Sequence, residues 1–153
     1  GGYFYDFTRT WCLGYAAEDV IKLHSQVLEV YETVYSALEA GTPCRQYQVQ
    51  TCELFEAMGH PTVLSDPKTQ IGYPHSLAHG LGLNVHESPG FSILESNRDQ
   101  LQPGTVFTVE PGLYYPDRGM GVRIEDTVAM RLDGKVETLV EYPMDLVLKM
   151  PAM

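Results

Sequence analysis

The apolar residues of this chain change period once, near His60, and a chain that does so cannot fold as all helix or all sheet. Over residues 16–40, inward-facing candidates recur at Ala17, Val20/Ile21, His24, Val27/Leu28, Tyr31, Val34/Tyr35 and Leu38, close to a 3.6-residue period. Gly41 is placed to stop that helix. Thr42-Pro43 then reads as cap and first position of a second helix running to about Met58, with Val49, Cys52, Phe55 and Met58 inward. From His60 onward Gly and Pro recur, and short β-like runs alternate with turns. The strongest strands are 106–110 and 121–128, with a turn at 101–104 leading into the first and a turn at 116–119 between them. Residues 136–140 and 146–148 read as further strands, and the aromatic run 1–12 as a strand end. Two helices followed by a meandering antiparallel sheet is an α+β pattern. With 153 residues and no low-complexity linker, the whole of 1–153 reads as a single domain.

Charge and cysteine usage narrow the functions open to such a domain. A net charge of −10 argues against nucleic acid as a partner, since a basic face supplies most of that attraction. The acidity fits a site that gathers carboxylates around cations, and equally fits simple solubility. No run approaches the roughly 20 apolar residues of a membrane span, and no basic segment followed by an apolar run marks a secretory signal. The three cysteines, Cys12, Cys44 and Cys52, form no CxxC pair, so neither a disulfide framework nor a thiolate zinc site is expected. Cys52 falls inside the second helix as a small hydrophobe, and a reducing, cytoplasmic compartment is the expectation.

Four polar clusters carry the chemistry: residues 5–10 around Asp6, residues 75–87 with His75, His79 and His86, residues 107–112 around Glu110, and residues 121–126 with Arg123, Glu125 and Asp126. Glu110 ends an apolar strand and is followed by Pro-Gly; it alternates onto the face of Val106 and Thr108. Glu125 lies mid-strand, sharing a face with Arg123 and Thr127. A carboxylate in such a place needs a cation. Arg123 is one candidate and a metal another, so a surface ion pair between Glu125 and Arg123 stands beside the functional reading. For Glu110 the plain alternative is a strand-end surface carboxylate. For Asp6 it is a turn or capping aspartate paired with Arg9. His79 and His86, seven apart, would point to opposite faces of an unbroken strand, but Gly80 and Gly82 permit a bulge or a close backbone approach that brings them together. Any one of these histidines is ordinarily a hydrogen-bonded or exposed residue; three of the five within twelve residues are harder to explain that way. Asp, His, Glu and Glu together make a ligand set rich in oxygen, suited to Mn²⁺, Co²⁺, Fe²⁺ or Zn²⁺. Bridging carboxylates can hold two such cations roughly 3.5–4 Å apart.

Taken in order, these motifs resemble the pita-bread metallopeptidase family, in its aminopeptidase P and prolidase branch. Tyr5-Asp6-Phe7-Thr8-Arg9-Thr10-Trp11 resembles the family's aspartate followed by Thr-Arg-Thr and an aromatic. The runs from His79 to Glu87, from Pro103 to Gly112 and from Gly121 to Asp126 resemble its histidine motif and its two glutamate motifs. The resemblance implies a pita-bread fold and hydrolysis of the bond preceding proline at the N-terminus of peptides. It implies His79 and Glu110 as ligands of one metal, with Asp6 and Glu125 bridging to a second. Mn²⁺ is the first expectation, with Co²⁺, Fe²⁺ or Zn²⁺ as alternatives. His75 and His86 would contact substrate and the developing tetrahedral centre, Glu110 would move the proton, and Arg123 would steady the carboxylates. Implied partners are proline-containing peptides and a second copy of the intact protein. The methionine-aminopeptidase branch shares the histidine motif but usually lacks the Thr-Arg-Thr run and the histidine matched by His75.

Two departures stand out. Ser76 and Ala78 occupy positions where the family commonly has glycine; both are small. The family also carries a metal-binding aspartate about eleven residues before the one matched by Asp6, and this sequence starts at Gly1, too late to contain it. The expectation is a truncated catalytic domain that alone binds one metal better than two and has little activity. Two rival readings are a non-catalytic peptide- or protein-binding module on the same fold, and a metal-free hydrolase of the creatinase kind, which does without the ligand set retained here.

Overall fold

A computed structural model describes residues 1–150 and bears out the α+β reading. Two helices, α1 (Glu18–Ala37) and α2 (Cys44–Ala57), precede the main sheet. The strands are β1 (Cys12–Leu13), β2 (His79–Gly80), β3 (Glu87–Gly90), β4 (Val106–Val109), β5 (Gly112–Tyr115), β6 (Met120–Arg123), β7 (Asp126–Met130), β8 (Val136–Thr138) and β9 (Val147–Leu148). A five-stranded antiparallel sheet runs β3-β2-β4-β7-β8, β5 pairs with β6, and β1 pairs in parallel with β9. None of the described helices is long and apolar enough to cross a membrane.

Both helices form where the periodicity puts them, with shifted edges. Helix α1 ends at Ala37, because Leu38 turns to an extended conformation; Gly41, three residues beyond, takes the left-handed conformation instead. Its buried stripe is Leu23, His24, Val27, Val30, Tyr31 and Val34, so Ile21 faces outward rather than inward. Leu23 and Val30 take the inward places that a pattern anchored on Ile21 misassigns. Helix α2 buries Cys44, Tyr47, Gln48, Thr51, Cys52 and Phe55, while Val49 and Met58 are only half covered. Pro43 sits at its N-cap with no side-chain cap, and the Cys44 amide donates to the Asp99 carbonyl. Thr42 therefore does not cap α2. The three cysteines are unpaired.

The sheet departs from the sequence reading where it matters most. Residues 106–115 and 120–130 form one long antiparallel ribbon, and each arm breaks in its middle. β4 pairs with β7 up to Val109 opposite Asp126, and β5 pairs with β6 from Gly112 opposite Arg123. The unpaired centre is Glu110-Pro111 on one arm and Ile124-Glu125 on the other, joined by the Ile124 amide donating to the Pro111 carbonyl at 3.3 Å. Pro111 has no N–H for the ladder, which accounts for a break on that arm. The supposed continuous strand 121–128 is thus two strands in two sheets, and Glu125 lies at their junction. Glu125 there makes an isolated bridge with Thr8, from a segment that otherwise forms no strand along 1–11.

Candidate metal centre

The bend in the ribbon faces two other segments, and the four together carry the polar cluster. Asp6 comes from the segment before β1. Its amide donates to the Thr127 hydroxyl at 3.1 Å, and that hydroxyl donates to the Asp6 carbonyl at 2.6 Å. Two residues on, Thr8 and Glu125 exchange backbone hydrogen bonds at 3.2 and 3.0 Å, and the Thr8 hydroxyl donates to Glu125 Oε2. Asp6 and Glu125 are therefore fixed to the same short ladder.

His79 is delivered by β2, where the register shifts between His79 and Gly80. This is the bulge that the glycines allow. A Cβ on Gly80 would collide with the carbonyl oxygens of Glu87 and Ser88, and one on Gly82 with the Glu87 carboxylate. The bulge sets the His86 ring edge-on against His79, centroids 4.3 Å apart, so both imidazoles lie on one side. The His79 amide donates to Thr108 Oγ1 at 3.1 Å, and that hydroxyl donates to Glu110 Oε1 at 3.3 Å. Thr108, a residue the sequence marked only as sharing a face with Glu110, thus links the two.

The donor atoms converge. Asp6, His79 and Glu125 each offer one atom within 4.8 Å of the others. His79 Nε2 lies 3.3 Å from Glu110 Oε1 and 3.8 Å from Asp6 Oδ2. The imidazole tautomer follows from its other nitrogen: Nδ1 sits 3.0 Å from the Gly80 carbonyl, which can only accept, so Nδ1 carries the proton and Nε2 presents a lone pair. A lone pair facing carboxylate oxygens needs something positive between them, either a proton or a cation. Burial pushes the Glu110 carboxyl up to about 8, with the Glu125 charge adding to the rise and Arg123 opposing it. Burial also raises Glu125, against the pull of the Thr8 hydroxyl and with Asp6 adding to the rise. Three carboxylates and an imidazole lone pair, two of those carboxylates driven toward protonation, are a donor set that a divalent cation fits.

Other predicted residues take different places. Arg123 approaches Glu110 Oε2 at 3.8 Å, and among the described residues it makes no ion pair with Glu125. The cation facing a glutamate is there, on the other glutamate. Arg9 does not pair with Asp6; its Nη2 lies 2.8 Å from Asp126 Oδ1. His75 stands outside the converging set. Its Nδ1 donates to the Ser76 carbonyl at 2.7 Å, and its Nε2 accepts from the Tyr114 hydroxyl at 3.0 Å. Tyr114 in turn accepts from Arg123 Nε at 2.7 Å. Burial lowers His75 to about 4. His86 is exposed apart from its contact with His79. Thr8 was marked only as part of the Thr-Arg-Thr run and Thr108 only by its face; Tyr114 was not singled out from the sequence. The one signal for Tyr114 was its four-residue spacing from Glu110.

Comparison with known proteins places the chain in a family. Residues 1–131 match the model for metallopeptidase family M24. A putative dipeptidase of Bacillus subtilis (strain 168) is 35% identical over 147 residues, covering 96% of this chain and 37% of that protein. The Xaa-Pro dipeptidase of Pyrococcus furiosus is 33% identical over 129 residues, covering 84% of this chain and 34% of that protein. The crystal structure of an X-Pro aminopeptidase from Thermotoga maritima MSB8 superposes with a TM-score of 0.80 at 33% identity, over 96% of this chain and 38% of that one. The fold is the pita-bread fold, and the chain spans under two fifths of the length of these relatives.

Proposed function

Because the chain belongs to metallopeptidase family M24, we propose that it holds the metal centre of an enzyme that hydrolyses the bond before proline at the N-terminus of peptides. The observation that carries this reading is the convergence of Asp6, His79 and Glu125 within 4.8 Å, with the His79 lone pair turned toward the carboxylates. Asp6, His79, Glu110 and Glu125 would hold divalent cations, with Mn²⁺ expected first. Bound there, such cations would supply Lewis acidity, lowering the pKa of a coordinated water and polarising the scissile carbonyl.

The chain's own residues supply the rest. Glu110, ionised when cations are held beside it, would take a proton from the attacking water and hand it to the departing nitrogen. His86, exposed beside His79, is the imidazole free to meet substrate and the developing oxyanion. His75 is neutral and bonded through both ring nitrogens, so it would reach substrate only by exchanging its Tyr114 contact. Arg123 and Thr108 hold Glu110 in place. Among the described residues these four ligands are enough for one cation. Calorimetric titration with Mn²⁺ should therefore show one tight site; two equally tight sites would overturn that count.

The reading is tested by supplying Xaa-Pro dipeptides and longer peptides with proline second, in Mn²⁺. Release of the N-terminal residue supports it, and release from the dipeptides alone marks a dipeptidase. No release with Mn²⁺, Co²⁺, Fe²⁺ or Zn²⁺ by the intact protein with metal bound defeats it. In the intact enzyme, Glu110→Gln should abolish turnover while the fold persists; near-normal turnover removes Glu110 from the proton-transfer role.

A further inference from the structure

Behind the metal centre lies a buried ion pair that nothing in the proposed chemistry uses. Arg9 and Asp126 are 2% and 1% exposed in their side chains. All five N–H donors of the guanidinium are engaged. Nη1 donates to the carbonyls of Thr8 at 3.0 Å and Glu125 at 2.9 Å; Nη2 donates to Asp126 Oδ1 at 2.8 Å and to the Tyr142 carbonyl at 3.3 Å; Nε donates to the Pro143 carbonyl at 3.2 Å. The second Asp126 oxygen accepts from the Tyr31 hydroxyl of α1 at 2.7 Å. The pair thus joins the Asp6–Thr8 segment, the β6–β7 junction, helix α1 and the 142–143 segment.

A buried pair of this kind is poor value as a source of stability. Its desolvation cost offsets most of its attraction, and apolar replacements of similar volume are often neutral or stabilising. Its position is the informative feature. Arg9 directly follows Thr8, whose hydroxyl bonds the Glu125 carboxylate, and Asp126 directly follows Glu125. Arg9 Nη1 spans the carbonyls on both sides of the Thr8–Glu125 bridge. We propose that Arg9 is a positioning residue: clamped by Asp126, it fixes the separation of the Asp6 and Glu125 carboxylates and so sets metal affinity. The proposal rests on the metal-centre reading above. Lysine, a point charge with three donors on a flexible stem, cannot span two carbonyls and a carboxylate together as the planar guanidinium does.

Mn²⁺ affinity, read by calorimetry on the whole chain, tests this in Arg9→Lys and in the charge-free double variant Arg9→Met/Asp126→Leu. Midpoints of thermal unfolding in EDTA are measured alongside. A destabilised control, Phe55→Leu in the core of α2, does not touch the clamp. Both clamp variants should weaken Mn²⁺ binding by about 10–100-fold, the usual cost of losing a residue that orients ligands. The loss of affinity should exceed what lost stability explains: Phe55→Leu should lower the midpoint while keeping wild-type affinity. Affinity within twofold of wild type in a folded clamp variant overturns the proposal, as does a loss in Phe55→Leu that matches its lost stability. Absence of Mn²⁺ uptake by the wild-type chain overturns the metal centre itself, and the clamp's role with it.

Discussion

Glu110 and Glu125 occupy facing positions at one bend of one ribbon, yet their surroundings treat them differently. Glu125 accepts from the Thr8 hydroxyl, its backbone N–H and carbonyl are both tied to Thr8, and its carbonyl also receives Arg9. The Glu110 side chain has a weaker set: the Thr108 hydroxyl at 3.3 Å and Arg123 no closer than 3.8 Å. Burial then lifts Glu110 to about 8. The contrast teaches that residue type and place in the sheet do not settle what a carboxylate does. Glu125 is tethered in place, as a fixed ligand would have to be, whereas Glu110 is left able to gain and lose a proton.

The hardest blow to that contrast is a direct exchange of each carboxylate for its amide. Glu125→Gln should reduce Mn²⁺ affinity by more than about a hundredfold, beyond the range typical of residues that only orient ligands. Glu110→Gln should cost metal affinity less and turnover more. Equal losses of affinity in the two variants would erase the distinction.

A second test reads the proton on Glu110 without metal. Its carboxyl sits at about 8 in the fold and near 4.5 when unfolded. The folded state therefore holds the proton more tightly, so this group's stabilising contribution is fully present below pH 4.5 and fades as pH rises through 8. In EDTA, urea unfolding of the wild type between pH 6 and pH 9 should show a loss on the order of a few kcal/mol. Glu110→Gln should flatten that slope. Parallel slopes for the two proteins would show that Glu110 is ionised throughout.

The hydroxyls sharpen the comparison at smaller scale. Thr8→Val removes a close donor from a carboxylate, worth about 1.5–3 kcal/mol, whereas Thr108→Val removes a longer one, worth roughly 0.5–1.5 kcal/mol. Chemical denaturation at pH 7 measures both. A larger cost at Thr108 would reverse the ranking of the two supports.

How much of this could be read beforehand depends on the range of the interaction. The helices were legible because periodicity is local; their edges were not, since Leu38 leaves the helix through conditions that no neighbouring residue announces. The bulge at His79 was legible because glycine at 80 and 82 admits the close approach of Glu87 and Ser88. The break at Glu110 had a local sign in Pro111. The break at Glu125 had none: Gly121 to Val128 reads as unbroken strand, and the interruption arises from pairing with Thr8, 117 residues away. For the same reason Arg9 looked like a partner for Asp6. Which carboxylate a guanidinium reaches is decided by packing between distant segments, and alternation along one strand carries no information about it.

The Glu110 side of the bend has one further member, reached through Arg123 and Tyr114, and it gives the smallest of the expected effects. His75 accepts from Tyr114 at Nε2 and donates from Nδ1 to the Ser76 carbonyl, an arrangement open only to the neutral ring. Burial accordingly lowers His75 to about 4, below its usual 6.5. Between those values the unfolded chain binds the proton more readily than the fold does. The stability this histidine contributes is thus present above pH 6.5 and is lost as pH falls toward 4. Lowering the pH from 6.5 to 5 should cost about 1 kcal/mol through this group, after discounting for its partial exposure. His24 and His60, also lowered by burial, add in the same direction, so the wild-type slope alone does not isolate it. The difference in slope between wild type and His75→Gln does. If that difference is nil, His75 is protonated in the fold, its bond to Tyr114 is broken, and the Arg123–Tyr114 pair must steady Glu110 unaided.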